Sequence, residues 1–126
     1  FQIIETGDPL ESILPGAGLL ITAMGVTIAE AHVLGVPVAV LANYQSDQNT
    51  VKLLVDQDAV EDLGFHLDIS DENLKSALEA IWNDVEKRKR LASQGWRLTD
   101  GLGAQRTADL IAPLLVPGTP KGDASC

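Results

Sequence analysis

Cysteine is almost absent from this 126-residue chain, whose single Cys126 is the last residue. One thiol can form neither a disulfide framework nor a zinc site of several cysteines, so we expect a reducing, cytoplasmic setting. The first residues show no basic segment before an apolar run, and the apolar runs are strand-sized. A membrane-spanning helix needs ~18 or more apolar residues. The sequence therefore predicts neither a signal peptide nor a membrane span.

Basic residues are also scarce, with 9 Lys and Arg against 18 Asp and Glu and a formal net charge of −9. Such a charge argues against binding nucleic acid or an anionic membrane through bulk electrostatics. A small anion is not excluded, because backbone N–H groups at a helix start bind phosphate locally. The remaining composition, 45% hydrophobic and 21% charged, is that of an ordinary globular protein.

Short apolar strands alternate with helical segments along residues 1–115. We predict strands at 1–5, 18–23, 36–42 and 59–63, and helices at 27–34, 47–55, 70–82, 85–98 and 104–115, the third of these capped by Ser70 or Asp71. We also predict a short helix that Asp8 caps and Pro9 begins, closed by a Pro-Gly pair at 15–16. This order predicts an α/β fold, a Rossmann-like parallel sheet flanked by helices. Four strands are few for a free-standing domain, so we expect residues 1–115 to be truncated at the N-terminus. Residues 116–126 are expected to be a disordered tail.

The link between the strand at 18–23 and the next helix is very short. Ala23, Met24, Gly25, Val26 and Thr27 must turn the chain at the carboxyl edge of the sheet, where open α/β sheets bind ligands. We expect Gly25 to supply backbone freedom and to leave space for a ligand. The first N–H groups of the helix would then face an anion, which the helix dipole favours by roughly 0.3–2 kcal/mol.

A purely structural alternative stays open at this turn. Thr27 and Glu30 fit a capping box, in which both side chains only satisfy the first amides of a helix. The segment is neither a Walker A loop nor the three-glycine dinucleotide fingerprint.

A second polar segment, Ser46, Asp47 and Gln48, follows the next strand at the same edge. Its amide and carboxylate suit sugar hydroxyls, each contact contributing about 1 kcal/mol. The alternative is a solvated loop in which Ser46 caps the next helix. His32 and His66 lack partners at metal-ligand spacing, so we expect them to be structural or on the surface, and we predict no metal site and no cofactor.

Three segments together resemble the C-terminal, nucleotide-sugar-binding half of GT-B glycosyltransferases. The resemblance is to the peptidoglycan GlcNAc transferase and to the nucleotide-sugar hydrolases and spore-coat proteins of nonulosonic-acid pathways. It is carried by residues 20–31 with the Leu-Gly-Val-Pro-Val run at 34–38, by Ser-Asp-Gln at 46–48, and by Asp-Gly-Leu-Gly-Ala-Gln-Arg at 100–106.

The resemblance implies a role for each of these positions. Residues 24–27 would cradle the donor pyrophosphate, Glu30 would accept from ribose hydroxyls, and Asp47 and Gln48 would face the sugar. The helix N-terminus would stabilise the departing nucleoside diphosphate without a metal. The implied ligand is a UDP- or CMP-linked nucleotide sugar. The implied partner is an N-terminal acceptor domain of the same protein, so the chain alone is expected to be inactive and to hold no catalytic residue.

Three positions depart from the family pattern, and one of them is Val51, where the family typically has Asn three residues after the Gln. Met24 stands where the family usually has a small residue, and Val26 stands where it has Ser. They favour an alternative, a non-catalytic interaction or regulatory α/β module that has lost its ligand. Half of a nucleotide-sugar epimerase is a further alternative.

Overall fold

In a computed structural model of the protein, residues 9–115 are described. The strands are β1 Leu20–Thr22, β2 Val38–Ala42 and β3 Glu61–Phe65; the α helices are α1 Leu10–Ile13, α2 Val26–Val33, α3 Gln48–Asp56, α4 Asp71–Asn83, α5 Val85–Leu98 and α6 Gly103–Leu115, and a 3-10 helix covers Gln45–Asp47. The predicted strand at 1–5, the Asp8 cap and the predicted tail at 116–126 lie outside the described residues. Pro9, predicted at the first helical position, instead immediately precedes α1 in an extended conformation.

The sheet is parallel, with the strands side by side in the order β1-β2-β3. Leu20 pairs with Val38, and Ala39 pairs with Glu61. All three strands therefore end at the same edge of the sheet, as parallel strands joined by helical crossovers must. The predicted α/β, Rossmann-like fold is confirmed.

Helices cover both faces of the sheet. On β2, Val38 and Val40 point to one face and pack with residues of α2 and α3, whereas Ala39 points to the other and packs with α4 and α5. The separation follows from the two-residue period of a strand. Each large aliphatic side chain buried in these layers contributes about 1.5–3 kcal/mol. The two helical layers hold the carboxyl edge of the sheet, and the loops on it, in place.

The third strand begins two residues later than the apolar pattern predicts. Ala59 and Val60 are buried, but the ladder with β2 starts only at Glu61. The amide of Ala59 instead donates to the carbonyl of Leu54, which completes the turn that ends α3. The apolar pattern therefore marked Ala59 as strand, although its amide hydrogen bond belongs to the end of α3.

The predicted helix at 70–82 is observed as α4, with the Ser70 hydroxyl accepting from the amide of Asn73 at 3.3 Å. Apolar residues recur every three or four positions along this helix, at 74, 77, 78 and 81. Ile81 is buried, but the neighbouring Trp82 is 58% exposed. None of the helices within residues 9–115 has the length and hydropathy to cross a membrane.

Candidate functional site

The turn between β1 and α2 contains three residues, Ala23, Met24 and Gly25. Gly25 is the N-cap of α2, so Thr27 lies inside the first helical turn rather than before it. Within the described residues no side chain caps this helix start. The capping-box alternative, with Thr27 as N-cap and Glu30 reaching back, is therefore wrong for this structure.

The first amides of α2 are available to an external acceptor. Backbone N–H groups in the first turn of an α helix have no acceptor inside the helix, which applies here to Val26 and Thr27. The amide of Ile28 donates to the carbonyl of Gly25 at 3.3 Å, a long 3-10 type bond. Val26 is 79% exposed, so the helix start faces outward at the carboxyl edge of the sheet. The arrangement is suited to an anion.

The reason for a glycine at position 25 differs from the prediction. Gly25 has φ 166° and ψ 179°, an extended conformation that any residue adopts, so the expected need for backbone freedom is wrong. A Cβ atom built on Gly25 would meet no atom of the described chain within 4 Å. The space above the helix start is therefore open, as a bound ligand requires.

A cavity of about 190 Å³ lies beside this turn, and we call it the turn cavity. It is lined by Met24, Gly25, Ile28, Ala29, His32, Leu54 and Thr99. Met24 also packs against the core on the α2 side of the sheet. Its side chain is thus a fixed part of the cavity wall.

Buried His32 is among the residues that line the turn cavity, and it has a structural role, as predicted. Its Nε2 lies 3.2 Å from the carbonyl oxygen of Ala59, which only accepts, so Nε2 carries the proton. Burial lowers the pKa of His32, although the bond to Ala59 opposes the shift. The imidazole is therefore neutral near pH 7. His66 is on the surface, and residues 9–115 contain no cluster of three or more His, Cys, Asp or Glu side chains that would hold a metal ion.

A second cavity of about 340 Å³ lies between α2 and the loop that joins α5 to α6, and we call it the loop cavity. It is lined by Ala29, Glu30, Val33, Leu98, Thr99, Asp100, Gly101, Gly103 and Arg106. Ala29 and Thr99 line both cavities, so the two are adjacent along one side of α2. The structure therefore brings Glu30 together with the third segment of the resemblance, although the two are 70 residues apart in sequence (100 − 30).

Asp100 and Arg106, which both line the loop cavity, form a bidentate ion pair. Nη1 of Arg106 donates to Oδ1 of Asp100 at 3.0 Å, and Nη2 donates to Oδ2. The same carboxylate accepts from the amide of Leu102 at 3.0 Å. These bonds lower the pKa of Asp100 to about 2 and raise that of Arg106. The pair is exposed, so it adds little to global stability; it joins the loop to the first turn of α6.

The residues of this loop were not among the predicted site residues. The sequence signal was present, because the Asp-Gly-Leu-Gly-Ala-Gln-Arg run was part of the resemblance. Sequence spacing alone did not show that the run would face Glu30.

The second polar segment lies on the loop after β2. Ser46 and Asp47 belong to the 3-10 helix, and Gln48 begins α3. Asp47, not Ser46, is the N-cap of α3, so the alternative with a Ser46 cap is wrong. Since β1 and β2 are neighbours, this loop and the Gly25 turn share one edge of the sheet. Neither the turn cavity nor the loop cavity is lined by Ser46, Asp47 or Gln48, and the same holds for three residues of the turn: Ala23, Val26 and Thr27.

The chain is similar to the spore coat polysaccharide biosynthesis protein SpsG of Bacillus subtilis (strain 168). The identity is 30% over 114 residues, which are 90% of this chain and 34% of that protein. No family model matches the chain, and no solved structure matches it. The predicted resemblance is thus confirmed only as a relationship to a spore-coat protein, of which the matched segment spans 34%. The roles of individual residues stay predictions.

Proposed function

We propose that this chain binds the nucleotide part of a UDP- or CMP-linked nucleotide sugar. It would serve as the donor-binding half of a GT-B glycosyltransferase or nucleotide-sugar hydrolase in cell-surface polysaccharide biosynthesis. The observation that carries the proposal is the uncapped start of α2, with open space at Gly25, at the carboxyl edge of a parallel sheet. The similarity to SpsG supports the polysaccharide setting.

The phosphates would bind at the helix start. The amides of Val26 and Thr27 donate to phosphate oxygens, and the dipole of α2 adds roughly 0.3–2 kcal/mol. Glu30 lies one turn further along α2, about 6 Å from Val26 along the helix axis. The 2′- and 3′-hydroxyls of a nucleotide lie on the far side of the ribose ring from the 5′-phosphate, so Glu30 accepts from these hydroxyls while the phosphates stay on the amides.

The sugar would extend toward the neighbouring loop. Asp47 and Gln48 follow β2 at the same edge, where a carboxylate and an amide are suited to sugar hydroxyls. The acceptor site and the catalytic base would belong to another domain of a longer protein, since the chain spans only 34% of the length of its relative. We therefore propose that the chain binds the donor without turning it over.

An NMR titration of the ¹⁵N-labelled chain with UDP, CMP and UDP-GlcNAc tests the proposal. We expect amide shifts at Gly25, Val26, Thr27 and Glu30, with weaker binding in the Glu30→Gln variant. The matched control is Glu79→Gln, which removes an exposed carboxylate from α4, on the other side of the sheet. If the amide chemical shifts of Gly25, Thr27 and Glu30 do not change at millimolar nucleotide, the proposal is wrong.

A module that has lost its ligand is the second candidate, favoured by Met24 and Val26. Val26 offers no hydroxyl at the exposed helix start, and Met24 narrows the turn cavity. The Met24→Gly, Val26→Ser double variant separates the two functions. If the site has lost its ligand, the double variant should bind nucleotide more tightly than the parent chain. If the site is intact, the affinity should stay the same or fall.

A further inference from the structure

We propose that the loop cavity is a subsite for a ring with adjacent hydroxyl groups. In this subsite Arg106, held in place by Asp100, donates a hydrogen bond to one of those hydroxyls and so helps to select the ligand. The inference rests on the proposed function, because the ring is one that flanks phosphates bound at the Gly25 turn. The ribose and the sugar of the donor share this chemistry, and the experiment below distinguishes them.

The charges around the loop cavity favour a neutral, hydroxylated group. Its walls carry two carboxylates, Glu30 and Asp100, and one guanidinium, Arg106. The sum is negative, so a phosphate in this cavity would meet repulsion. A hydroxyl group donates to a carboxylate and accepts from a guanidinium, and a pair of adjacent hydroxyls does both at once.

The polar groups facing the cavity have unused hydrogen-bonding capacity. A guanidinium has five N–H donors, and Asp100 takes one from each of the two terminal nitrogens of Arg106. Three donors therefore remain for a ligand. Glu30 is in no ion pair with Arg106 or with any other side chain of residues 9–115. A ligand between Glu30 and Arg106 would satisfy both.

The shape of the cavity fits one ring of a longer ligand. Its volume of about 340 Å³ lies within the usual range of small-molecule sites, about 300–1,000 Å³. Apolar side chains of Ala29, Val33 and Leu98 cover part of the wall, where the C–H faces of a ring would lie. Because Thr99 and Ala29 also line the turn cavity, a ligand can extend from one cavity to the other.

The loop that precedes Arg106 is held against α2 and the start of α6 by its own contacts. Gly101 has φ +77°, and a Cβ atom there would stand 3.3 Å from Cγ1 of Val33, so the loop lies close against α2. The Asp100 carboxylate holds both the amide of Leu102 and the Arg106 guanidinium. A wall that is already ordered costs less entropy when a ligand binds.

Calorimetric titration of the full chain and its Arg106→Gln variant with UDP, 2′-deoxy-UDP and UDP-GlcNAc tests the inference. If the ring is ribose, the variant loses most of the preference for UDP over 2′-deoxy-UDP and binds UDP at least tenfold more weakly. If the ring is the sugar, the variant instead loses the preference for UDP-GlcNAc over UDP. Arg106→Lys, which keeps the charge, restores part of the lost preference in either case.

Arg90→Gln is the matched control, because Arg90 forms an exposed ion pair with Asp58 at 2.6 Å and lines neither cavity. Two results would overturn the inference, because Arg106 would then only anchor the loop. The Arg106→Gln chain could keep both preferences, or its affinity for all three ligands could fall by the same factor. In either result, UDP binding by the parent chain leaves the proposed function intact. A parent chain that binds none of the three ligands overturns the proposed function and this inference together.

Discussion

At the scale of single residues, Gly25 is the position where we expect a larger side chain to be compatible with folding but not with phosphate binding. The described chain has open space around it, and its backbone conformation suits any residue. We therefore expect Gly25→Ala to cost about 1 kcal/mol of stability or less, the usual difference between Gly and Ala as N-cap. If phosphates occupy the space, the added methyl group weakens UDP binding at least tenfold, or about 1.4 kcal/mol. Thermal unfolding and calorimetry of the same sample measure the two effects.

Val26→Ala is the control for this substitution. It removes side-chain atoms from the neighbouring exposed position and leaves the helix amides unchanged. Both stability and UDP affinity should stay close to those of the parent chain. Unchanged UDP affinity in Gly25→Ala would contradict a phosphate site above this residue.

At the scale of elements, α2 and α5 are joined through a histidine and a glycine. A Cβ atom on Gly95 of α5 would overlap the imidazole ring of His32 on α2, so only glycine lets the two helices approach this closely. His32 in turn bonds the carbonyl of Ala59 just before β3. One neutral side chain therefore ties together two helices and the start of a strand.

The buried histidine makes this junction sensitive to acid. Because burial lowers the pKa of His32 in the folded chain, the unfolded chain takes up a proton first, near the ordinary value of about 6.5. The stabilising effect of the neutral imidazole is full above that pH and is lost as the pH falls from 6.5 toward the lower folded pKa. We expect the free energy of unfolding, measured in urea, to fall between about pH 7 and pH 5.

His32→Gln retains a side-chain N–H donor and should remove this part of the pH dependence. His66→Gln, at the exposed histidine, should leave it in place. An identical fall in stability in the parent and His32→Gln chains would count against the assignment to His32.

The sequence predicted the helices and strands well where a residue pattern is compatible with only one backbone conformation. The strand-helix alternation and the Leu-Gly-x-Pro run correctly predicted α2 and β2. The patterns failed where two arrangements satisfy one pattern. The apolar pair at 59–60 is also typical of a strand, but it follows the end of α3. Thr27 and Glu30 have the spacing of a capping box, but Gly25 is the N-cap of α2. The approach of residues 100–106 to Glu30 depends on how α5 packs against α2, and periodicity in one helix contains no such information.

At the scale of the whole molecule, the proposed anion site belongs to a chain with a net charge of −9. Among the residues lining the two cavities, Arg106 is the one Lys or Arg side chain, and it is shared with Asp100. The attraction for a phosphate therefore comes from amides and a helix dipole at short range. The rest of the molecule repels the same phosphate at long range.

These two contributions differ in their response to salt, which gives the last prediction. Raising NaCl from ~10 to ~100 mM shortens the screening length from ~30 to ~10 Å, so it weakens the long-range repulsion more than the short-range contacts. We expect the Kd for UDP to decrease over this range, whereas the Kd for uncharged uridine stays constant. A site built from several Lys and Arg side chains would show the opposite trend, because salt competes with each ion pair. Weaker UDP binding at higher salt would contradict this prediction, because screening of the attraction at the site would then outweigh screening of the long-range repulsion.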